Sequence, residues 1–189
     1  MIRTQNPFWV GLGLVTVFFH IWLIFSGLVP SLISRPIHMA LAIPWVFLFV
    51  SKNKGPLYLE SILSAIGVFC CFYIALNEPS LSDQYGFIQG WYQFIIGSAL
   101  IAITLEMARR TVGWPLPVIT LLFLIYGLIG DKVPGEFGHA GIPLNSFLGT
   151  LVITEGGLWG KLTGVSVSIV AVFVIFGAVL NAGEAGQGF

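Results

Sequence analysis

The sequence predicts an all-α polytopic membrane protein with about six transmembrane helices and one short interfacial or re-entrant segment. Three observations predict it. Apolar segments recur along only 189 residues, and the first, residues 9–29, contains no Asp, Glu, Lys or Arg. A hydrocarbon core of about 30 Å is crossed by about 20 apolar residues in helical form, because lipid offers the backbone no hydrogen-bond partners. Hydrophobic residues make up 57% of the chain and charged residues only 8%, against roughly 25% charged in soluble domains. So few charges could not cover a water-exposed surface.

The first span, residues 9–29, is closed by Pro30. Arg3 before an apolar run resembles the start of a signal peptide, but the run is longer than an h-region of about 7–15 residues and no small-x-small cleavage site follows it. It reads as a retained transmembrane helix. The second span covers residues 32–50, with Ser34 placed to cap before Pro36, Arg35 placed to snorkel to the headgroups, and Pro44 predicting a kink. Lys52, Asn53, Lys54 and Gly55 form a basic turn, and residues 58–76 form the third span. An acidic loop with Glu78 and Asp83 leads to the fourth, residues 87–105, which opens on the aromatic pair Trp91 and Tyr92 and ends at Glu106, Arg109 and Arg110.

Gly113-Trp114-Pro115-Leu116-Pro117 then breaks the helix, and residues 116–129 form a short fifth span. A polar loop, residues 130–143, carries Asp131, Lys132, Glu136 and His139. Residues 144–153 are too short to cross. Gly156, Gly157, Gly160 and Gly164 precede the last span, residues 165–180.

Basic residues in alternate loops set the orientation. Arg3, Lys52, Lys54, Arg109 and Arg110 fall on one side, and Arg35 and Lys132 on the other. The positive-inside rule then puts the N-terminus in the cytoplasm. Trp91, Tyr92, Arg109, Arg110 and Trp114 are the expected membrane-interface anchors. Beyond residue 143 the short interfacial or re-entrant segment leaves the side ambiguous.

Charge and motif exclude several function classes. Eight basic residues balance eight acidic ones, so no net field points to nucleic acid. Cys70 and Cys71 are adjacent in an apolar helix, a spacing that suits neither a disulfide framework nor a zinc site. There is no H-E-x-x-H, G-x-S-x-G or Walker A pattern. His20, His38 and His139 stand far apart, with no carboxylates at ligand spacing. No enzyme, metal or other cofactor is therefore expected.

Polar groups inside the spans are functional candidates because burial in lipid makes them costly. His20 lies close to mid-bilayer. With no ionisable residue expected in the middle of the second to fourth spans, a neutral imidazole bonded to a carbonyl or hydroxyl is favoured over a proton relay. The Glu106, Arg109 and Arg110 spacing favours an internal ion pair or anchoring to anionic headgroups. Gln93, Ser98, Thr104 and Ser64 read as interhelical hydrogen-bonding groups, and Gly97 and Gly177 as points of close backbone approach.

From Leu105 onward the order of motifs is distinctive: Leu-Glu-Met-Ala-Arg-Arg-Thr-Val-Gly-Trp-Pro-Leu-Pro, then Tyr126-Gly127-Leu128-Ile129-Gly130, Thr154-Glu155-Gly156-Gly157-Leu158-Trp159-Gly160, Gly164-Val165-Ser166 and Phe176-Gly177-Ala178-Val179-Leu180. This order resembles the fused membrane permeases of tripartite ATP-independent periplasmic (TRAP) transporters, in the branch whose binding proteins are called TAXI. Residues 1–104 fit that family's small four-helix portion by helix count. The resemblance implies a sodium-coupled secondary transporter of a bacterial or archaeal cytoplasmic (inner) membrane that receives a small organic solute from a periplasmic TAXI-type solute-binding protein. Residues 1–110 would be the small scaffold-like portion and residues 111–189 the start of the large one. The family's sodium and substrate sites would lie after Phe189, in the remainder of the permease. The chain departs from the pattern at Glu184 and Gly188. The expected role is therefore scaffold. The alternatives are a small self-contained membrane protein with an assembly role, and a membrane-embedded enzyme using His20 or Glu155.

Overall fold

The computed structural model describes residues 6–50 and 55–183, without the Val50 side chain, and it is an all-α polytopic membrane protein. Six helices among these residues are long and apolar enough to cross a bilayer. Arg3, Lys52, Lys54, Glu184 and Gly188 lie outside the described residues.

Helix α1 (Pro7–Phe25) starts at Asn6, whose side chain accepts the Phe8 N–H at 3.0 Å, with Pro7 in the first position where no N–H is needed. It ends four residues short of the expected stop, because Gly27 at φ 77° breaks the helix before Pro30. Helix α2 (Ser31–Pro44) follows Pro30 directly. Ser34 is not its cap; its hydroxyl donates back to the Pro30 carbonyl at 3.2 Å. The irregularity expected at Pro44 takes the form of a π-helical stretch, Trp45–Val50. Proline has no N–H for the carbonyl four residues back, and its ring crowds that turn.

Helix α3 (Leu57–Leu76) leads to the short α4 (Glu78–Ser82), then α5 (Trp91–Thr111). Helix α5 runs six residues past its expected end and keeps Glu106, Arg109 and Arg110 helical. It stops where Gly113 takes φ 105° and donates its N–H to the Ala108 carbonyl, with Pro115 next. Helix α6 (Pro115–Ile129) crosses back. Helix α7 (Leu144–Val152) is too short to cross. The last span is α8 (Lys161–Val165), a π-helical turn (Ser166–Val170) and α9 (Ala171–Ala182).

The core lies where α2, α3 and α5 meet. Ile43, Phe47, Cys71, Ile74, Leu100 and Ile103 are buried there. Gly67 of α3 marks the tightest crossing: a methyl added to it would stand 2.9 Å from Ile43 and 3.2 Å from Ile103. Small residues at such points let helices pack closely when lipid supplies no hydrophobic drive. Gly97 does the same for α5, 2.9 Å from Val152 and 3.3 Å from Leu148 of α7. At Gly177 the space is open, so the close approach expected there is absent. Phe18, Trp22 and Phe25 on α1, Phe123 on α6 and Phe173 on α9 face outward and are exposed. Surfaces so apolar belong against lipid.

The contacts also sort the ends of the bundle. Asn145 at the start of α7 accepts the Ile88 N–H at 3.3 Å, and Glu155 just after α7 pairs with Arg35 near the start of α2. Helix α7 therefore enters and leaves at one end, which we call the Arg35 end. The last span starts there too and runs antiparallel to α1. The side that the sequence left ambiguous beyond residue 143 is fixed relative to the rest: α1 begins and α9 finishes at the Arg110 end.

Candidate functional site

Among the described residues, three clusters of polar side chains join different elements of the bundle. The first is a junction of α1, α2 and the last span, inside the apolar layer. His20, only 3% exposed, lies five residues before the end of α1. Its Nδ1 is 2.7 Å from the Thr16 carbonyl one turn earlier, and its Nε2 is 2.8 Å from Nδ1 of His38 on α2. His38 Nε2 in turn lies 3.1 Å from the Ser166 hydroxyl, the first residue of the π-helical turn in the last span. The two imidazoles meet edge to face, 5.0 Å between centroids. π-Helical turns displace side chains from α-helical rows and recur at functional sites.

This corrects two sequence expectations. A second ionisable group does lie in α2 at the depth of His20, and two of the three histidines are brought together. His139 stays apart, its ring nitrogens facing the Ala140 and Tyr126 carbonyls.

Two cavities adjoin the junction. A cleft of about 250 Å³ runs from the α1–α2 loop past Ser31, Ser34, Arg35 and Ser168 to His20. A second cavity, of about 390 Å³, lies on the other side of the pair, between Thr16, Trp45, Val170 and Val174. A cleft with hydroxyls and a guanidinium on its walls has both the room and the partners that water needs.

The second cluster is a clamp at the Arg35 end. Arg35 does not snorkel to the headgroups. Its guanidinium donates to the Trp159 carbonyl and lies 3.4 Å from the exposed Glu155 carboxylate. Trp159 is fully buried and donates its indole N–H to the Val152 carbonyl at 2.6 Å. The Leu158 N–H donates to Leu151 at 2.8 Å. Gly157 lies so close to the Leu151 backbone that an added methyl would stand 2.3 Å from its carbonyl oxygen. Gly164 faces the flat of the Arg35 guanidinium, 3.1 Å from a methyl built there. The glycine-rich stretch is thus folded back on α7 and fastened to α2.

The third cluster lies at the Arg110 end. Glu106 accepts from Arg109 twice at 2.7 Å and from Arg110 at 2.6 Å, as the i, i+3 and i, i+4 spacing suggests. Arg110 also donates to Glu60 of α3, a residue the sequence reading passed over. Glu60 accepts the Gly55 N–H as well, at 2.8 Å. Arg110 lies 4.7 Å over the Phe47 ring and Arg109 lies 5.1 Å over Trp114. Arg110, expected as an interface anchor, is instead buried: the guanidinium needs every donor satisfied once it leaves water, and the two carboxylates supply acceptors within the bundle. Trp91, Tyr92 and Trp114 are exposed near the starts of α5 and α6.

Gln93 of α5 meets the Tyr73 side chain of α3 and so joins two helices, whereas Thr104 does not. Gln93 also accepts the Gln89 N–H at 2.8 Å just before α5, and Thr104 donates to Leu100 of its own helix at 2.8 Å. Ser98 is on the exposed face of α5. Among the described residues, no three His, Cys, Asp or Glu side chains come together as metal ligands. No protein-family model, curated protein or solved structure matches the chain.

Proposed function

We propose that this chain is the scaffold portion of an ion-coupled secondary transporter of the TRAP type, in a cytoplasmic membrane. Residues 1–110 brace the assembly and residues 111–189 begin the transporting portion. The observation that carries this reading is the clamp on α7. A non-crossing helix and its glycine-rich return are held against α5 by the Gly97–Val152 contact and against α2 by Arg35. A transporter needs discontinuous membrane segments with their backbone ends fixed at a protein-lined position, and fixing such a segment is what the first four spans do here. The proposed partners are the remainder of a permease and a periplasmic solute-binding protein, with sodium as coupling ion. With Lys161 joining Arg35 and Lys132 at the Arg35 end, the basic residues divide five to three, and the Arg110 end is the cytoplasmic one.

The test is uptake into proteoliposomes under a sodium gradient, with a binding protein loaded with its solute. The chain alone accumulates nothing, and it co-purifies with the remaining permease segments when they are co-expressed. Accumulation above empty liposomes that vanishes when the gradient is collapsed would overturn the scaffold role.

A further inference from the structure

We infer that the His20–His38 pair is a binding site for one proton inside the membrane layer. The inference rests on the junction's geometry and stands independently of the transport reading.

Hydrogen-bond direction carries the argument. The Thr16 carbonyl can only accept, so His20 Nδ1, 2.7 Å away, holds a proton. In the neutral ring Nε2 is then an acceptor, and His38 Nδ1, 2.8 Å from it, must be the donor. His38 Nε2 is left as an acceptor for the Ser166 hydroxyl at 3.1 Å. One carbonyl therefore sets both tautomers, and every ring nitrogen is satisfied with both histidines neutral.

The same chain admits one more proton. A hydronium ion breaks one O–H bond and leaves as water as an N–H bond forms at His38 Nε2, and the Ser166 hydroxyl turns to accept that hydrogen, redirecting its own to a carbonyl of the preceding turn, as helical serines do. The His38 Nδ1–H bond can then break as a His20 Nε2–H bond forms. The positive charge moves across 2.8 Å to His20 with the proton count unchanged. A second proton would set N–H against N–H across that gap, next to a charge already present. The pair holds one.

Few charges compete with this site. Among the described residues, α1 contributes no ionisable side chain besides His20, and the last span contributes only Lys161 at its exposed start. Arg35, one turn before His38, lines the cleft and opposes the added charge, while Glu155 beside Arg35 offsets it. The cleft beside Arg35 reaches His20, and the second cavity is lined by His38 and Ser166, where the proton is taken up.

The test is long-range nitrogen–proton NMR on the full chain in lipid nanodiscs with nitrogen-labelled histidine, titrated from about pH 9 to about pH 4, with His139 as internal reference. At the alkaline end both junction histidines show the Nδ1–H tautomer, the opposite of the one free imidazole side chains favour. On acidification their signals shift together in a single one-proton step. Two separate steps, no step in this range, or an Nε2–H tautomer at the alkaline end would each overturn the site.

Discussion

Removing the Glu60 carboxylate should destabilise the bundle far more than removing Glu60 and Arg110 together. Glu60 is 2% exposed and the Arg110 side chain 7%, so neither is screened by water. The four side chains Glu60, Glu106, Arg109 and Arg110 sum to zero charge. Glu60→Leu leaves two guanidiniums on one carboxylate and deprives the Gly55 N–H of its acceptor. Breaking a buried pair costs about 3–5 kcal/mol. Because Glu106 still accepts from Arg110, the lower part of that range applies, about 3 kcal/mol. Arg110→Met leaves the Glu60 carboxylate with the Gly55 N–H alone and loses the contact over Phe47, so about 4–5 kcal/mol is expected. In Glu60→Leu/Arg110→Met no buried charge is stranded, and apolar replacements of that kind lie within about 1–2 kcal/mol of the starting protein. The assay is reversible unfolding by SDS in bicelles, followed by tryptophan fluorescence, as a double-mutant cycle. If the single losses simply add, within about 0.5 kcal/mol, the two side chains act independently and the buried-pair reasoning fails.

Three other outcomes follow from the packing. Gly149→Ala places a methyl 2.1 Å from the Gly86 carbonyl oxygen, a backbone atom that cannot swing aside. It should cost at least about 1–3 kcal/mol and free α7, seen as new thiol labelling of Leu148→Cys; unchanged protection would refute it. On a Cys70→Ala/Cys71→Ala background, Ser82→Cys and Lys161→Cys should react with an impermeant thiol reagent from one side of the membrane and Val112→Cys from the other, so labelling of Lys161→Cys and Val112→Cys from one side would break the topology. His20→Gln should keep yield and thermal stability within about 1 kcal/mol, since its amide can still donate to Thr16 and accept from His38; an aggregated product would show that the imidazole shape itself is needed.

The spans were legible because a stretch of about 20 apolar residues leaves the backbone one way to satisfy itself. The failure of residues 144–153 to cross was legible from length alone. The polar contacts were less so, because each joins residues distant in sequence. His20 and His38 could have been paired by counting depth from their shared turn: five residues before Phe25 and seven after Ser31 differ by only about 3 Å at 1.5 Å per residue. Glu60 and Arg110 were missed for a different reason. Ending the fourth span at residue 105 put Arg110 at the surface, whereas satisfied charges allow the helix to continue to Thr111. Arg35 looked like an anchor because nothing local to it reveals a carbonyl 124 residues away.

The π-helical turn at Ser166–Val170 separates two halves of one span that serve different surroundings. Each residue of an α-helix turns the chain by about 100°, so a one-residue deletion within this turn would keep the helix crossing while swinging everything after it through about that angle. Gly164 and Ser166 would keep their places beside Arg35 and His38. Phe173 and Phe176 would be aimed at new neighbours. Single insertions and deletions here are therefore a means of re-aiming the outer half of the span, for a protein engineer or for natural variation, without rebuilding the polar junction.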